Sequence, residues 1–180
     1  MLHGATVGLI GWGANARALH GLLGTLGAQV MVYSEHASDD ELAGVTRATL
    51  AEVLSAEIVS LHRGLTPATR HFLGEAELAQ LRPGAVLINV ARGELIDPAA
   101  LQKRLERGDI FVCLDTFEAE PLPANDGLRR LPNVFLTSHI AGGSRQMQAD
   151  AAAEVVSKVL RVLDGAQVAT VTEKRLAAMT

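Results

Sequence analysis

Residues 7–16, which read V-G-L-I-G-W-G-A-N-A, constrain the fold of this chain more than any other stretch. A short apolar run ends at Gly11, Gly13 follows two residues later, and Ala16 opens a segment with helical spacing of its apolar residues. A strand, a glycine turn and a helix in this order suit a dinucleotide pyrophosphate, because a Cβ at either glycine would keep the backbone away from the phosphates. Free amides at the start of the helix then attract the anion. We predict dinucleotide binding here; the alternative is a purely structural turn.

The remaining sequence alternates strand-like and helix-like segments. Apolar residues make up 48% of the 180 residues and aromatic residues only 3%, so the core has to consist of Val, Leu, Ile and Ala, as in a parallel sheet covered by helices. We predict helices after the capping residues Thr49 and Asp97, a short helix over 74–81 and a long amphipathic helix over 144–163. Further strands are predicted over 29–33, 57–61, 85–90, 110–114 and 134–137. The expected fold is α/β, a Rossmann-like doubly wound parallel sheet flanked by helices in a single domain.

Composition also excludes several classes of function. The net charge is −4 and no basic cluster is present, so we expect no nucleic-acid partner. The single cysteine, Cys113, cannot form a disulfide framework, and no His/Cys spacing resembles a metal site. No apolar run is long enough to span a bilayer, and the first residues lack the pattern of a signal peptide. These observations predict a cytoplasmic protein with no metal and no membrane contact.

Polar side chains follow most of the predicted strands, at the sheet edge where open α/β proteins bind their ligands. Taken singly, each could be a solvated or capping residue; together they place a cation, carboxylates and imidazoles beside the nucleotide turn. These residues are Ser34, Glu35, His62, Arg92, Asp115, Glu118, Glu120 and His139.

Such a set suits the reduction of a 2-oxo acid. The reaction needs a permanent cation to hold the carboxylate, a role for Arg92, and an acid that protonates the alkoxide near neutral pH, a role for His139. A carboxylate beside the imidazole favours its protonated form, and Glu120 fills that role.

Several longer motifs resemble the D-isomer-specific 2-hydroxyacid dehydrogenases. They are L-I-N-V-A-R-G-E-L-I-D (87–97), C-L-D-T-F-E-A-E-P-L (113–122) and N-V-F-L-T-S-H-I-A-G-G (133–143), with V-S-L-H-R-G-L-T-P-A-T-R (59–70) and L-R-P-G-A (81–85). The resemblance implies that Arg92 binds substrate, that His139 is catalytic and pairs with Glu120 rather than Glu118, and that Asp115 lies near the nicotinamide carboxamide. It also implies a homodimer, because the cofactor domain commonly carries the dimer contact.

The cofactor expected from these motifs is NAD rather than NADP. Residues 34–36 offer no permanent cation for a 2′-phosphate, and Glu35 could accept hydrogen bonds from the ribose hydroxyls and repel a phosphate. The predicted cofactor-binding residues are Gly11, Gly13, Ala14, Asn15, Ser34, Glu35, His62, Ala91, Arg92, Asp115, His139 and Gly142.

The sequence departs from the family pattern at four positions. Asn15 stands where an apolar residue is usual, Gly64 and Ser138 replace prolines, and Ser34 occupies the place of an aspartate common in NAD-preferring members.

Family chains also place most of a substrate domain before the cofactor domain, whereas this sequence begins at the cofactor domain. We therefore expect a nucleotide-binding domain over 1–143, followed by a helix and tail over 144–180 that would cross to a substrate lobe absent from this sequence. Two functions stay open: an NAD-dependent oxidoreductase acting on a small 2-hydroxy or 2-oxo acid, and a catalytically inactive NAD-binding or dimerisation module.

Overall fold

One parallel sheet of seven strands forms the centre of the protein in a computed structural model, which describes residues 1–167. The spatial order of the strands is β3-β2-β1-β4-β5-β6-β7. The chain therefore builds outward from β1 in one direction and then from β4 in the other, which is the doubly wound, Rossmann-like arrangement that the sequence predicts. The strands are β1 (Thr6–Ile10), β2 (Gln29–Tyr33), β3 (Thr46–Arg47), β4 (Ile58–Leu61), β5 (Val86–Asn89), β6 (Phe111–Leu114) and β7 (Val134–Leu136).

Helices connect the strands, and several begin where the sequence predicts. The Thr49 side chain accepts a hydrogen bond from the backbone of Glu52, whose carboxylate in turn accepts one from the Thr49 amide, a reciprocal cap. Asp97 caps the Ala100 amide at 2.8 Å, and Ser144 caps the helix that follows it. The helices are α1 (Ala14–Thr25), α2 (Leu50–Leu54), α3 (Glu75–Leu78), α4 (Pro98–Leu105) and α5 (Arg145–Leu163), with short 3₁₀ turns at Gly93–Leu95 and Gly127–Arg130.

The core has two parts, one on each face of the sheet. On one face α1 packs over the end of the sheet that contains β1 and β2, burying residues such as Leu9, Ala16 and Val32. The larger cluster, on the other face, joins β4, β5 and β6 to α2, α3 and α4. Close packing of α2 depends on Gly8, because a Cβ there would lie 2.6 Å from the carbonyl oxygen of Val53.

Some features differ from the sequence-based prediction. The two-residue strand β3 was not predicted, and the helix predicted over 74–81 is reduced to Glu75–Leu78. Helix α5 forms over the predicted range, and none of its residues is buried. The tail of the predicted segment 144–180 lies in part outside the described residues, which end at 167. Within residues 1–167, no helix is both long enough and apolar enough to cross a membrane.

Candidate functional site

The glycine turn after β1 has the geometry that the sequence suggests, although the two glycines serve different ends. Gly11 has a φ of +102°, and a Cβ there would lie 2.6 Å from the carbonyl oxygen of His62, so the turn itself requires glycine. Gly13 is the N-cap of α1; no side chain caps the helix, and a Cβ there would meet open space. The first amides of α1 are therefore available to an anion, as a dinucleotide pyrophosphate requires.

Two cavities flank this turn at the point where the strand order reverses. The first, the Glu35 cavity, has a volume of about 320 Å³ and is lined by Gly11, Gly13, Ser34, Glu35, His36 and His62, among others. The second, the Arg92 cavity, has a volume of about 540 Å³ and is lined by Gly13, Ala14, Asn15, His62, Ala91 and Arg92, among others. Both include Gly13, His62, Arg63 and Gly64, so together they form one groove around the turn, which we call the cofactor groove.

Most of the predicted cofactor-binding residues lie on this groove. The exceptions are Asp115, His139 and Gly142, which line neither cavity. His62 lies at the centre of the groove, with its Nε2 3.0 Å from the hydroxyl of Ser60. Burial lowers the pKa of His62, so the imidazole is neutral at neutral pH and adds no charge to the groove.

Glu35 is engaged by two neighbours. Its carboxylate accepts a 2.6 Å hydrogen bond from the hydroxyl of Tyr33 and another, also 2.6 Å, from the guanidinium of Arg63. These two contacts, that of Arg63 first, lower the pKa of Glu35 to about 2. Arg63 also stacks over the ring of Phe72, 4.3 Å from its centre. The sequence analysis missed Arg63; the available signal was its position just after β4, beside the predicted nucleotide turn.

Arg92 lies at the far end of the groove. Asn89 shapes the turn that carries it, donating to the Arg92 carbonyl at 2.8 Å and accepting from the Ala91 amide at 3.0 Å. The side chain is exposed, and its guanidinium donates to the Ala91 carbonyl at 2.7 Å. Its other donors can therefore face a ligand.

His139 and Glu120 form the pair that the sequence predicts. His139 Nδ1 lies 2.8 Å from Glu120 Oε2, and Glu120 Oε1 accepts a 2.9 Å hydrogen bond from the Phe117 amide. The hydrogen bond with His139 and then that with Phe117 lower the pKa of Glu120, so this carboxylate is ionised at neutral pH. The pair lines a further cavity of about 420 Å³, distinct from the cofactor groove.

Asp115 holds the loop that carries His139. It is only 3% exposed, and its two carboxylate oxygens accept hydrogen bonds from the hydroxyl of Thr137 and from the amides of Ile140 and Ala141. The Asp115 carbonyl also accepts from the His139 amide at 2.8 Å. These contacts fix a loop in which His139 has a left-handed backbone conformation, with φ +55°. Desolvation opposes them, but the net effect is a lowered pKa for Asp115.

The structure thus joins two of the three predicted catalytic residues directly. Arg92 lines the cofactor groove, and within residues 1–167 it forms no ion pair with Glu120. Glu118, the alternative acid, pairs instead with Arg70 and lies 3.3 Å from His71. Across the described part of the chain, no group of three or more His, Cys, Asp or Glu side chains is arranged to hold a metal ion.

Comparison with known proteins decides the family. Residues 1–141 match the sequence profile described as D-isomer specific 2-hydroxyacid dehydrogenase, NAD binding domain. The chain belongs to this family. It is therefore an NAD-binding domain of the D-2-hydroxyacid dehydrogenase type, which confirms the resemblance on which the sequence analysis relied.

Individual relatives agree with the assignment. The chain is 33% identical to a glyoxylate reductase of Korarchaeum cryptofilum over an alignment of 163 residues that covers 88% of this chain and 49% of that protein. Its fold matches that of D-lactate dehydrogenase with NAD⁺ from Lactobacillus jensenii, with a TM-score of 0.83 and 30% identity over 94% of this chain and 56% of the other. A D-2-hydroxyacid dehydrogenase from Xanthobacter autotrophicus Py2, solved in complex with NADPH and MES, matches with a TM-score of 0.83 and 34% identity over 96% of this chain and 72% of the other. The chain spans about half the length of the curated relatives it matches.

Proposed function

We propose that this domain serves an NADH-dependent reductase of small 2-oxo acids, in which Arg92, Glu120 and His139 act on the substrate. The observation that carries the proposal is the 2.8 Å contact between His139 Nδ1 and Glu120 Oε2. Because Glu120 occupies Nδ1, the ring nitrogen left to exchange a proton with a substrate is Nε2. An imidazole held in this way by a carboxylate is suited to general acid catalysis.

Each charged residue of the site has a separate role in the reaction. When bound, NADH supplies a hydride to the carbonyl carbon of the acid. Arg92 holds the substrate carboxylate through its two-pronged guanidinium and polarises the neighbouring carbonyl. His139 gives the Nε2 proton to the carbonyl oxygen, so that the 2-oxo acid becomes a 2-hydroxy acid. Glu120 stabilises the imidazolium before the transfer, and afterwards it accepts a hydrogen bond from the Nδ1–H of the neutral ring.

The cofactor-binding residues are also part of the proposal. The uncapped start of α1 at Gly13, with Ala14 and Asn15, suits the pyrophosphate. Ser34 and Glu35 suit the adenosine ribose and favour NAD over NADP, because the ionised Glu35 repels a 2′-phosphate. The remaining predicted cofactor contacts of the groove, and those of Asp115, His139 and Gly142, stay predictions.

The test combines binding and turnover. Titration of the 180-residue chain with NADH, followed by fluorescence, should show saturable binding, with NADPH weaker. Absorbance at the NADH band should then fall only slowly on addition of glyoxylate, hydroxypyruvate or another 2-oxo acid, because the chain spans about half the length of its relatives and closure over the substrate needs a second lobe. His139→Asn should abolish turnover, while NADH binding should stay saturable. Glu120→Gln should slow turnover at least about tenfold, a part of what general acid catalysis contributes.

The outcomes separate the two functions left open by the sequence. Binding of NADH without turnover of any 2-oxo acid would favour a non-catalytic NAD-binding module. Absence of NADH binding would refute the proposal outright.

We also propose that the domain forms a homodimer and works in the cytoplasm. Apolar side chains stand exposed along α5, among them Val155 and Leu163, and the exposed Phe111 and Phe135 share one face of β6 and β7. Such surfaces are unfavourable in water and favour association. Sedimentation equilibrium should give twice the monomer mass. A monomer at micromolar concentration would contradict the dimer. Cell fractionation tests the location.

The boundary between 1–143 and 144–180 is a further proposal. Its support is that Ser144 begins α5 and that no residue of α5 is buried, so the sheet and its core do not depend on this helix. A chain ended after residue 143 should therefore keep the thermal midpoint of the full chain within a few degrees. A large drop in that midpoint would show that the helix belongs to the domain.

A further inference from the structure

We propose that Arg63 is able to bind the ribose 2′-phosphate of NADPH, and that the carboxylate of Glu35 prevents this binding in the native chain. In the native chain the carboxylate neutralises the guanidinium and repels the phosphate, so NADH is favoured. Without the Glu35 charge, the same guanidinium binds the phosphate and the preference moves towards NADPH. This inference rests on the proposed function, since it concerns how the cofactor groove selects its dinucleotide.

The first observation is a cation where the local sequence has none. Residues 34–36 contain no permanently charged base, yet the fold brings Arg63 Nη2 to 2.6 Å from Glu35 Oε2. Both residues line the Glu35 cavity, together with Ser34 and His36. The cavity therefore contains a guanidinium, whose planar fork matches the oxygens of a phosphate.

The second observation is that Arg63 has supports other than Glu35. Its guanidinium stacks over the ring of Phe72, and its side chain is only 15% exposed. The Phe72 ring in turn stacks on Tyr33, with centres 6.3 Å apart. The attraction between a guanidinium and an aromatic face does not depend on the Glu35 charge. Loss of the Glu35 charge should therefore leave Arg63 aimed at the cavity.

The third observation concerns the other acid in the cavity. Glu41 also lines it, but its carboxylate accepts a 3.0 Å hydrogen bond from the Ser38 amide and lies 3.4 Å from Arg17. Glu41 therefore has its own partners, and Glu35 is the carboxylate that engages Arg63. A member of the family solved with NADPH has the same fold as this chain, so the fold itself does not exclude the extra phosphate.

The experiment is a set of direct binding titrations with NADH and NADPH by isothermal calorimetry, on four full-length chains. These are the native chain, Glu35→Gln, Glu35→Gln with Arg63→Gln, and Glu35→Gln with Arg47→Gln. Arg47 is the matched control, because it pairs with Asp39 at 2.7 Å and does not line the cavity. Circular dichroism verifies that each variant is folded.

Glu35→Gln should bind NADPH about tenfold or more tightly than the native chain, because a charge-assisted hydrogen bond to the phosphate forms and the repulsion by the carboxylate is removed. Adding Arg63→Gln should remove most of this increase in affinity, whereas adding Arg47→Gln should preserve it. The increase should also shrink at high salt, because it is electrostatic.

Two results would overturn the inference. The first would leave the proposed function standing, and the second would not. If the native chain binds NADH but Glu35→Gln and the Arg63 double variant show the same increase in NADPH affinity, Arg63 is not the phosphate ligand and the proposed function stands. If no chain binds either dinucleotide, the proposed function and this inference fail together.

Discussion

Replacement of Asp115 by asparagine tests how the fold holds the loop of His139. The substitution keeps the shape of the side chain and removes its charge. The Asp115 carboxylate accepts hydrogen bonds from Thr137 Oγ1 and, at 2.9 Å each, from the amides of Ile140 and Ala141. An amide has one acceptor oxygen, so its NH₂ group must face at least one of these donors.

The cost follows from these contacts. A hydrogen bond to a charged group contributes about 1.5–3 kcal/mol, and a neutral one about 1 kcal/mol. Asp115→Asn loses one such bond and weakens the others, but Ile140 and Ala141 are exposed, so water can satisfy part of the freed amide. We expect a loss of about 2 kcal/mol in the free energy of unfolding, which lowers the thermal midpoint by roughly 4–8 °C in a chain of this size.

The pH dependence gives the effect a second signature. The folded protein lowers the pKa of Asp115, whereas the unfolded chain has the ordinary value of about 3.9. The carboxylate therefore stabilises the fold fully above about pH 4, and this contribution is lost as the pH falls towards the folded pKa. The stability difference between the native chain and Asp115→Asn should be largest at about pH 7 and should shrink below about pH 4.

Urea unfolding followed by circular dichroism, at about pH 7 and at about pH 3, measures both quantities. The control is Asp39→Asn, since the Asp39 side chain is 94% exposed and its ion pair with Arg47 should contribute little. A native chain and an Asp115→Asn variant of equal stability at neutral pH would refute the reasoning. So would a difference that stays the same at both pH values.

Two further predictions concern packing contacts elsewhere in the domain. Arg104 is buried, donates hydrogen bonds to the Leu78 and Leu81 carbonyls and pairs with Asp109. Arg104→Met should therefore lower the free energy of unfolding, measured with urea, by about 2–3 kcal/mol. A decrease of less than about 1 kcal/mol would contradict this. A Cβ at Gly93 would overlap the backbone after Phe117, so Gly93→Ala should lower the thermal midpoint, whereas Gly21→Ala, where a Cβ meets open space, should not; equal midpoints would show that the loop yields freely.

The candidate site could be predicted where its residues follow neighbouring strands. Strands β6 and β7 are adjacent and parallel, so the loops that carry Glu120 and His139 leave the same edge of the sheet. Their pairing follows from that topology and from the family motifs. The role of Asp115 could not be predicted in the same way, because it depends on the backbone path of residues 137–141 and on a left-handed turn at His139.

The sequence by itself determined the elements whose signals are local. The helix starts at Thr49, Asp97 and Ser144 depend on contacts within a few residues, so they can be identified from residue type and spacing. Apolar spacing likewise indicates the helix α5, but it does not identify the surface that would pack against this helix, none of whose residues is buried.

Only the tertiary structure decided the charge of the cofactor groove. Glu35 and Arg63 are 28 residues apart in the chain and meet because β2 and β4 lie on either side of β1. The segment 34–36 contains Glu35 but not Arg63, so it predicts the negative charge that a ribose 2′-phosphate would meet and not the positive one. Contacts of this kind depend on strand order and on side-chain conformation, neither of which is encoded in the spacing of neighbouring residues.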